Sequence, residues 1–136
     1  MPERRSDAVD LCGGAYNDLS AVINELPAII NNIPRIRPGD GQGHYNARNE
    51  FLQEHLHPQL GVLRDARARL RAGLRMLEEY LEAKNTSKNG RDQTTTNLGV
   101  YRERLAEIDA RLRDLLGPLR DNPRDEISLF LQELDE

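Results

Sequence analysis

The sequence contains few residues that could form disulfides or contribute aromatic side chains to the core. It contains a single cysteine, Cys12, so no disulfide can form within the chain. Tryptophan is absent and aromatic residues make up only 4% of the chain, so the core must consist mainly of aliphatic side chains. We interpret Cys12 as a small buried apolar side chain rather than a reactive thiol, because no histidine lies nearby in the sequence to activate it.

Long apolar runs and a strong positive charge are also missing. No stretch of about 18 apolar residues occurs, so no transmembrane helix is predicted. The opening MPERRSDAVD has two arginines but no apolar segment behind them, unlike a secretory signal. The net charge of −4 provides no general attraction to nucleic acid or to a lipid surface. We therefore expect a chain of the cytoplasm or nucleus, and we favour neither nucleic acid nor a membrane surface as its partner.

What the sequence does have is leucine, spaced for helices. Apolar residues recur at intervals of three and four, whereas the period-two alternation of strands is nearly absent. This predicts an all-α, up-down bundle of three to four helices in a single domain over 1–136, with a central antiparallel hairpin of helices two and three and a short C-terminal capping helix. The predicted helices are 7–30, 46–84 with a kink at 58, 98–119 and 123–135, and the predicted loops are 31–45 and 85–97.

Prolines, glycines and capping residues set several of these boundaries. Pro27 removes a backbone donor, so the first helix should kink or end just before it. The Asn89-Gly90 pair favours a turn, which places the second polar connection outside a helix. Asn122 followed by Pro123 suits the start of the last helix, because Asn caps free amides and Pro needs no donor in the first turn.

Arginines are concentrated on one flank of the second predicted helix. At about 100° per residue, four of the five arginines between 64 and 75 fall on the same side. We interpret this side as a solvated flank, with intrahelical pairs such as Asp65 with Arg69. Two alternatives stay open: a docking face for an acidic helix, including this chain's own C-terminal segment, and a phosphate-binding surface. The arginines of this basic stripe are Arg64, Arg67, Arg71 and Arg75.

The C-terminal segment carries an apolar stripe set among acidic residues. Anchors spaced i, i+3, i+4 and i+7 are the pattern by which an amphipathic helix enters a groove. The segment is therefore either an ordinary helix packed on its own bundle or a recognition helix for a partner. Its candidate partner-binding residues are Ile127, Phe130, Leu131 and Leu134.

Patterns for catalysis or metal binding are weak. His55 and His57 are two residues apart, which points them to different faces of a helix. Glu54 and His57 form one Glu-x-x-His unit, where a di-iron bundle needs two. The glycine-rich GDGQG at 39–43 follows no strand and lacks the Lys-Ser/Thr of a phosphate-binding loop, so we interpret it as a flexible link. We predict no catalytic residue, no cofactor and no metal.

The function predicted from these patterns is a non-catalytic protein–protein interaction, scaffold or adaptor module. Self-association is included, because the apolar seams of the second and third helices are regular enough to pair between chains. The first alternative is binding of nucleic acid or anionic phospholipid through the basic stripe. The second is a helical enzyme whose site the sequence does not locate.

Overall fold

A computed structural model of the chain describes residues 5–83, 87–121 and 124–136. Regular structure in these ranges is entirely helical, which confirms the predicted all-α bundle. Within the same ranges, no helix is both long enough and apolar enough to cross a membrane. The helices are α1 (Arg5–Asn31), α2 (Gln42–Phe51), α3 (His57–Glu82), α4 (Lys88–Leu116) and α5 (Glu126–Glu133), with a π-helical turn at Leu52–Leu56 and a 3-10 turn at Gly117–Leu119.

The three long helices α1, α3 and α4 pack against one another, and the most extensive contact joins α1 to α3. These two helices are antiparallel, because Cys12 lies near Leu70 while Asp18, further along α1, reaches back to Arg69. The expected hairpin of the second and third helices is present as the antiparallel α3–α4 pair. Its contact is smaller than that of α1 with α3, so α3 rather than a hairpin is the centre of the bundle.

The core is built from aliphatic side chains of the long helices, the π-helical turn and α5. Cys12 is fully buried, as its interpretation as a small apolar side chain requires. Each buried leucine contributes about 1.5–3 kcal/mol relative to an exposed one, so the leucine seams carry most of the stability. The leucines with the lowest exposure are Leu19, Leu26, Leu56, Leu60, Leu63, Leu70, Leu77, Leu112 and Leu116.

Helix α1 continues for four residues past Pro27, so of the two alternatives for that proline the end of the helix is wrong, and the predicted 7–30 agrees with Arg5–Asn31 within two residues. The missing donor is outweighed by packing on both sides of it, because Leu26 is buried and Ile30 packs against the core. After the last turn, the side-chain amide of Asn32 donates to the Ala28 carbonyl at 3.0 Å. This bond satisfies one of the carbonyls that a helix end leaves free.

The second predicted helix is interrupted just before Pro58 by the π-helical turn at Leu52–Leu56. The amide of His57 donates to the carbonyl of Leu52, five residues back. Pro58 has no N–H, and its ring clashes with the carbonyl four residues before it, so a wider preceding turn relieves both constraints. The helical stretch also starts at Gln42, four residues before the predicted start, and the loop before it covers 32–41 instead of 31–45.

The second predicted polar connection is largely helical, because α4 begins at Lys88. The Ser87 hydroxyl oxygen accepts a hydrogen bond from the Gly90 amide at 3.0 Å and so caps the helix. Thr94 is buried, and its hydroxyl donates to the Gly90 carbonyl at 2.7 Å, so a polar residue occupies a core position here. The Asn89-Gly90 pair therefore lies in the first helical turn, and the predicted loop at 85–97 is wrong over most of its length.

Helix α5 is shorter than the predicted 123–135. Its N-cap is Asp125, whose carboxylate accepts a hydrogen bond from the Ser128 amide at 2.7 Å. Asn122 and Pro123, which the sequence suggested as the start, lie outside the described residues. At the end of α4, the regular helix stops at Leu116, and the 3-10 turn extends the helical region to the predicted boundary at 119.

Replacing Ser87 with alanine is expected to lower the free energy of unfolding by about 1 kcal/mol, because the Gly90 amide loses its partner. Urea unfolding followed by circular dichroism measures this loss. Thr96→Ala is the matched control on the same helix, since Thr96 is exposed and its hydroxyl donates to the Asp92 carbonyl of the same helix at 3.0 Å. Its effect should stay within about 0.5 kcal/mol. Equal losses in the two variants would argue against the cap.

Candidate functional site

Arg67, the arginine of the basic stripe nearest the leucine seam, is largely buried between α3 and α4. Its guanidinium forms two parallel hydrogen bonds to the carboxylate of Asp109, both at 2.9 Å. The two side chains are only 11% and 10% exposed. Arg67 also donates to the Leu134 carbonyl at 3.2 Å, just after α5. This arginine therefore ties three parts of the chain together and is not available to a ligand.

Arg64 binds α5 directly. Its Nε donates to the Glu133 carboxylate at 2.6 Å, and its guanidinium lies 5.7 Å from the centre of the Phe130 ring. The hydrogen bond to Glu133 raises the pKa of Arg64 above its ordinary value, partly opposed by burial. On the other side of α5, Arg113 of α4 donates to the Asp135 carboxylate at 2.9 Å. The C-terminal acidic helix is therefore docked in cis, which was one of the alternatives left open for this flank.

The remaining arginines of the stripe face solvent. Arg71 and Arg75 are exposed and form no ion pair with any residue in the described ranges. Arg69, on the other flank, pairs with Asp18 of α1 at 2.7 Å instead of with Asp65, because α1 lies alongside it. Two of the four stripe arginines are thus occupied by the chain itself, which leaves a smaller cationic surface for phosphate than the sequence suggested.

The four apolar anchors of the C-terminal stripe point into the bundle. Each is at most 6% exposed and belongs to the hydrophobic core, whereas Leu129 between them points outward. A partner's groove could receive these four side chains only after α5 had left α3 and α4. The anchors in question are Ile127, Phe130, Leu131 and Leu134.

An open groove of about 780 Å³ lies at the end of the bundle where α1 stops, and we call it the terminal groove. It is bounded by the end of α1, the loop that follows, α2, and the segment after α4. Its volume falls in the range of about 300–1,000 Å³ that is usual for ligand-binding clefts. The lining consists of apolar Ile30, Ile33, Pro34, Ile36, Tyr45 and Leu119 together with polar Asn31, Arg35, Arg48, Asn49 and Asp121.

Two local features hold the walls of the terminal groove in place. In the loop, the Asp40 carboxylate accepts a hydrogen bond from the Arg37 amide at 2.6 Å, and Gly39 adopts φ +90°, a conformation that side chains disfavour. This turn leads the chain into α2. From α2, Arg48 reaches Asp121 at 2.8 Å and so connects this helix to the segment after α4. The glycine-rich stretch is therefore a shaped turn, not only a link.

Helix α2, which forms one wall of the terminal groove, buries none of its residues. The backbone stays helical from α2 through the π-helical turn into α3, so α2 is the exposed end of a longer helical stretch. Its Tyr45 borders the groove and is 47% exposed, while Ile33 and Ile36 on the opposite wall are half-buried. Exposed apolar side chains grouped in a concavity are typical of a binding surface.

The terminal groove is locally basic although the chain is acidic. Residues 33–49 contain three arginines and a single acidic residue, Asp40, against a net charge of −4 for the whole chain. Arg48 is paired with Asp121. Arg35 is exposed and forms no ion pair within the part of the chain that the structure describes. The groove therefore presents an uncompensated positive charge beside its apolar lining.

None of the lining residues of the terminal groove was singled out from the sequence. Its walls come from 30–36, 45–49 and 119–121, which no local pattern connects. The available signal was that isoleucines continue beyond the first predicted helix, at Ile33 and Ile36, into a loop rich in proline and glycine. Apolar residues grouped in such a loop favour a covered surface or a binding surface.

Cys12 is buried against α3, and this burial raises the pKa of its thiol to about 11. We expect the native thiol not to react with an aromatic disulfide reagent at pH 8, and the urea-unfolded chain to react at once. Because the folded-state pKa is higher than the ordinary value of 9.0, the free energy of unfolding should also fall as pH rises from about 9 towards 11. Rapid reaction of the folded chain would contradict the burial.

The histidines and acidic residues form no cluster in the described ranges that could hold a metal ion, and the expectation of a chain without metal or catalytic activity stays a prediction. Comparisons of the chain with models of protein families, with curated proteins and with solved structures find no match. Its function must therefore be inferred from its own geometry, of which the terminal groove and the docked α5 are the two most informative parts.

Proposed function

We propose that this chain is a non-catalytic protein–protein interaction module and that the terminal groove is its binding site. The observation that carries the proposal is the open groove framed by α2, in which Ile33, Ile36 and Tyr45 are grouped and partly in water. A bound partner would cover these side chains and supply the contacts that α2, with no buried residue, lacks.

The partner that suits the terminal groove is a short apolar segment of another protein with a carboxylate beside its apolar residues. Its apolar side chains would cover Ile33, Ile36 and Tyr45, which are now partly in water. Its carboxylate would pair with Arg35, which the described part of the chain leaves without an acidic partner. Charge complementarity of this kind favours acidic partners over basic ones and speeds their association.

Self-association through the leucine seams is not supported by the packing. The seams of α3 and α4 are buried inside the chain's own bundle, as at Leu63, Leu70 and Leu112. The large apolar residues exposed on these two helices are Val62 and Val100, and they stand singly. A scaffold role therefore rests on a partner in the terminal groove rather than on pairing of the seams.

Selection from a displayed library of random peptides tests the proposal without a known partner. The immobilised full chain should enrich peptides with two or three apolar residues and at least one nearby acidic residue. Arg35→Glu should weaken the enriched peptides at least tenfold, which is about 1.4 kcal/mol of binding energy. Ile33→Asp should weaken them further, because it places a charge in the apolar lining.

Val62→Asp is the matched control, because Val62 is an exposed apolar residue that does not line the terminal groove. It should leave peptide affinity unchanged. Circular dichroism and the midpoint of thermal unfolding establish that each variant is folded. Peptides that bind the Arg35→Glu and Ile33→Asp variants as tightly as the unmodified chain would overturn the proposal.

A further inference from the structure

Helix α5 occupies the groove between α3 and α4 in the way that a helical ligand occupies its receptor. Its four apolar anchors enter the core, and its acidic residues are held at both edges of the groove. Glu133 pairs with Arg64 of α3 at 2.6 Å, and Asp135 pairs with Arg113 of α4 at 2.9 Å. Throughout the described ranges α5 makes no close contact with α1. It therefore covers α3 and α4 without linking them to the third long helix.

Although its four anchors are buried and the Leu134 carbonyl accepts from Arg67 and Arg113, two features make α5 easier to release than the long helices. It has eight residues, fewer than the roughly 12–15 that an isolated helix needs, so it is helical only while it is docked. The four side chains of its two ion pairs are 38–75% exposed, so water and salt screen these pairs. Short elements held by such contacts open locally at lower free energy than the core helices.

The groove has positive charge that α5 does not use. Beside α5, a cleft of about 180 Å³ is lined by Arg67 and Arg71 together with the acidic Glu133 and Glu136, and Arg71 is exposed with no ion pair among the described residues. At the other edge, a cleft of about 230 Å³ is lined by Arg113, which Asp135 already pairs with, and by Arg120, which is exposed. A longer helix with more carboxylates would fill these clefts and form ion pairs that α5 leaves unmade.

We propose that the α3–α4 groove is a docking site for a longer acidic amphipathic helix from a partner protein, and that α5 is an internal ligand which this helix displaces. The partner helix must carry the same pattern as the segment around α5, with apolar residues at i, i+3, i+4 and i+7 and carboxylates at i+6 and i+8. Further carboxylates beyond i+9 reach Arg71, and they give the incoming helix the higher affinity that displacement requires.

Two amidated peptides test the docking site on the full chain. Both have the sequence of residues 124–136, one lengthened by three glutamates and the other by three glutamines. Fluorescence anisotropy should show the glutamate peptide binding at least tenfold more tightly. This advantage should vanish in the Arg71→Glu chain and persist in Arg91→Glu, where the substituted arginine lies in the first turn of α4, far from α5. Equal affinity of the glutamate peptide for the Arg71→Glu and unmodified chains would overturn the proposal.

Displacement has its own test. Phe130→Ala weakens the docking of α5 within the chain, so it should raise the apparent affinity for both peptides at least tenfold, because a larger fraction of chains offers an empty groove. In the unmodified chain, amides of α5 should exchange with deuterium at least tenfold faster than buried amides of α3. Unchanged peptide affinity in a folded Phe130→Ala chain, or equal exchange rates in α5 and α3, would rule out displacement. Arg35→Glu should leave the binding of both peptides unchanged, which separates this site from the terminal groove.

Discussion

Replacing Asp109 with alanine is expected to lower the free energy of unfolding by about 3–5 kcal/mol, because Arg67 would remain buried without a counter-charge. The pair is about nine-tenths buried, and Asp109 accepts two hydrogen bonds from the guanidinium at 2.9 Å. Urea unfolding followed by circular dichroism measures the loss.

Two further variants separate the effect of burying an ion pair from the effect of its charges. Arg69→Ala breaks an ion pair to Asp18 of similar length, 2.7 Å, but its side chains are 46% and 53% exposed, so the loss should be below about 1 kcal/mol. Replacing the buried pair as a whole, with Arg67→Met and Asp109→Leu together, should recover most of the stability, because no charge is left unpaired. If the Asp109→Ala chain were as stable as the Arg69→Ala chain, the result would contradict a stabilising role of the buried Arg67–Asp109 ion pair.

Replacing Gly73 with alanine is expected to destabilise the fold by about 1–3 kcal/mol, although alanine is the better helix former by about 1 kcal/mol. A Cβ at this position would lie 2.5 Å from the Cys12 sulfur and 3.3 Å from the Ala8 carbonyl oxygen. The first distance is a clash, and the second is to backbone that cannot rotate away. Helix α1 would have to move off α3 at the largest interface of the bundle.

Gly61→Ala is the matched control for Gly73→Ala, since Gly61 lies on the same helix and a Cβ there meets nothing within 4 Å. It should stabilise the chain by about 0.5–1 kcal/mol. In a Cys12→Ala background the loss from Gly73→Ala should shrink, because the sulfur is removed while the backbone contact remains. Losses that are equal for the two glycines would show that α1 and α3 are not in close contact.

The leucine spacing was sufficient to predict the helices and their buried faces, because a helical period of three and four reports directly which side of each helix is apolar. It was not sufficient to predict which faces meet. Gly73 lies in the helix that the spacing describes best, yet its importance comes from Cys12, more than sixty residues away in the chain. Pairings over such distances depend on the packing of whole helices, which no local pattern encodes.

Local signals for the end or start of a helix were misleading where tertiary packing overrode local preference. Pro27 lies inside α1 because apolar contacts continue beyond it, and Asn89-Gly90 is helical because Ser87 caps the helix and Thr94 is buried. Both were read from propensity alone, which is a weak guide where side chains can be buried.

The candidate sites also differ in how far local sequence signals could predict them. The acidic C-terminal helix and the basic stripe were both visible in the sequence, and their mutual docking was one of the stated alternatives. The burial of Arg67 had a local signal, because this residue is the arginine of the basic stripe nearest the leucine seam. The terminal groove had almost none, since its walls are brought together from three segments that are far apart in sequence.

The most direct test of the proposed function is a map of amide chemical shifts on adding the tightest peptide from the displayed library. The binding site proposed here predicts that the largest shifts fall in 30–36, 45–49 and 119–121, and that they disappear in the Arg35→Glu chain. Shifts that are spread evenly over the helices, or that persist unchanged in that variant, would contradict the terminal groove as the place where this protein meets its partner.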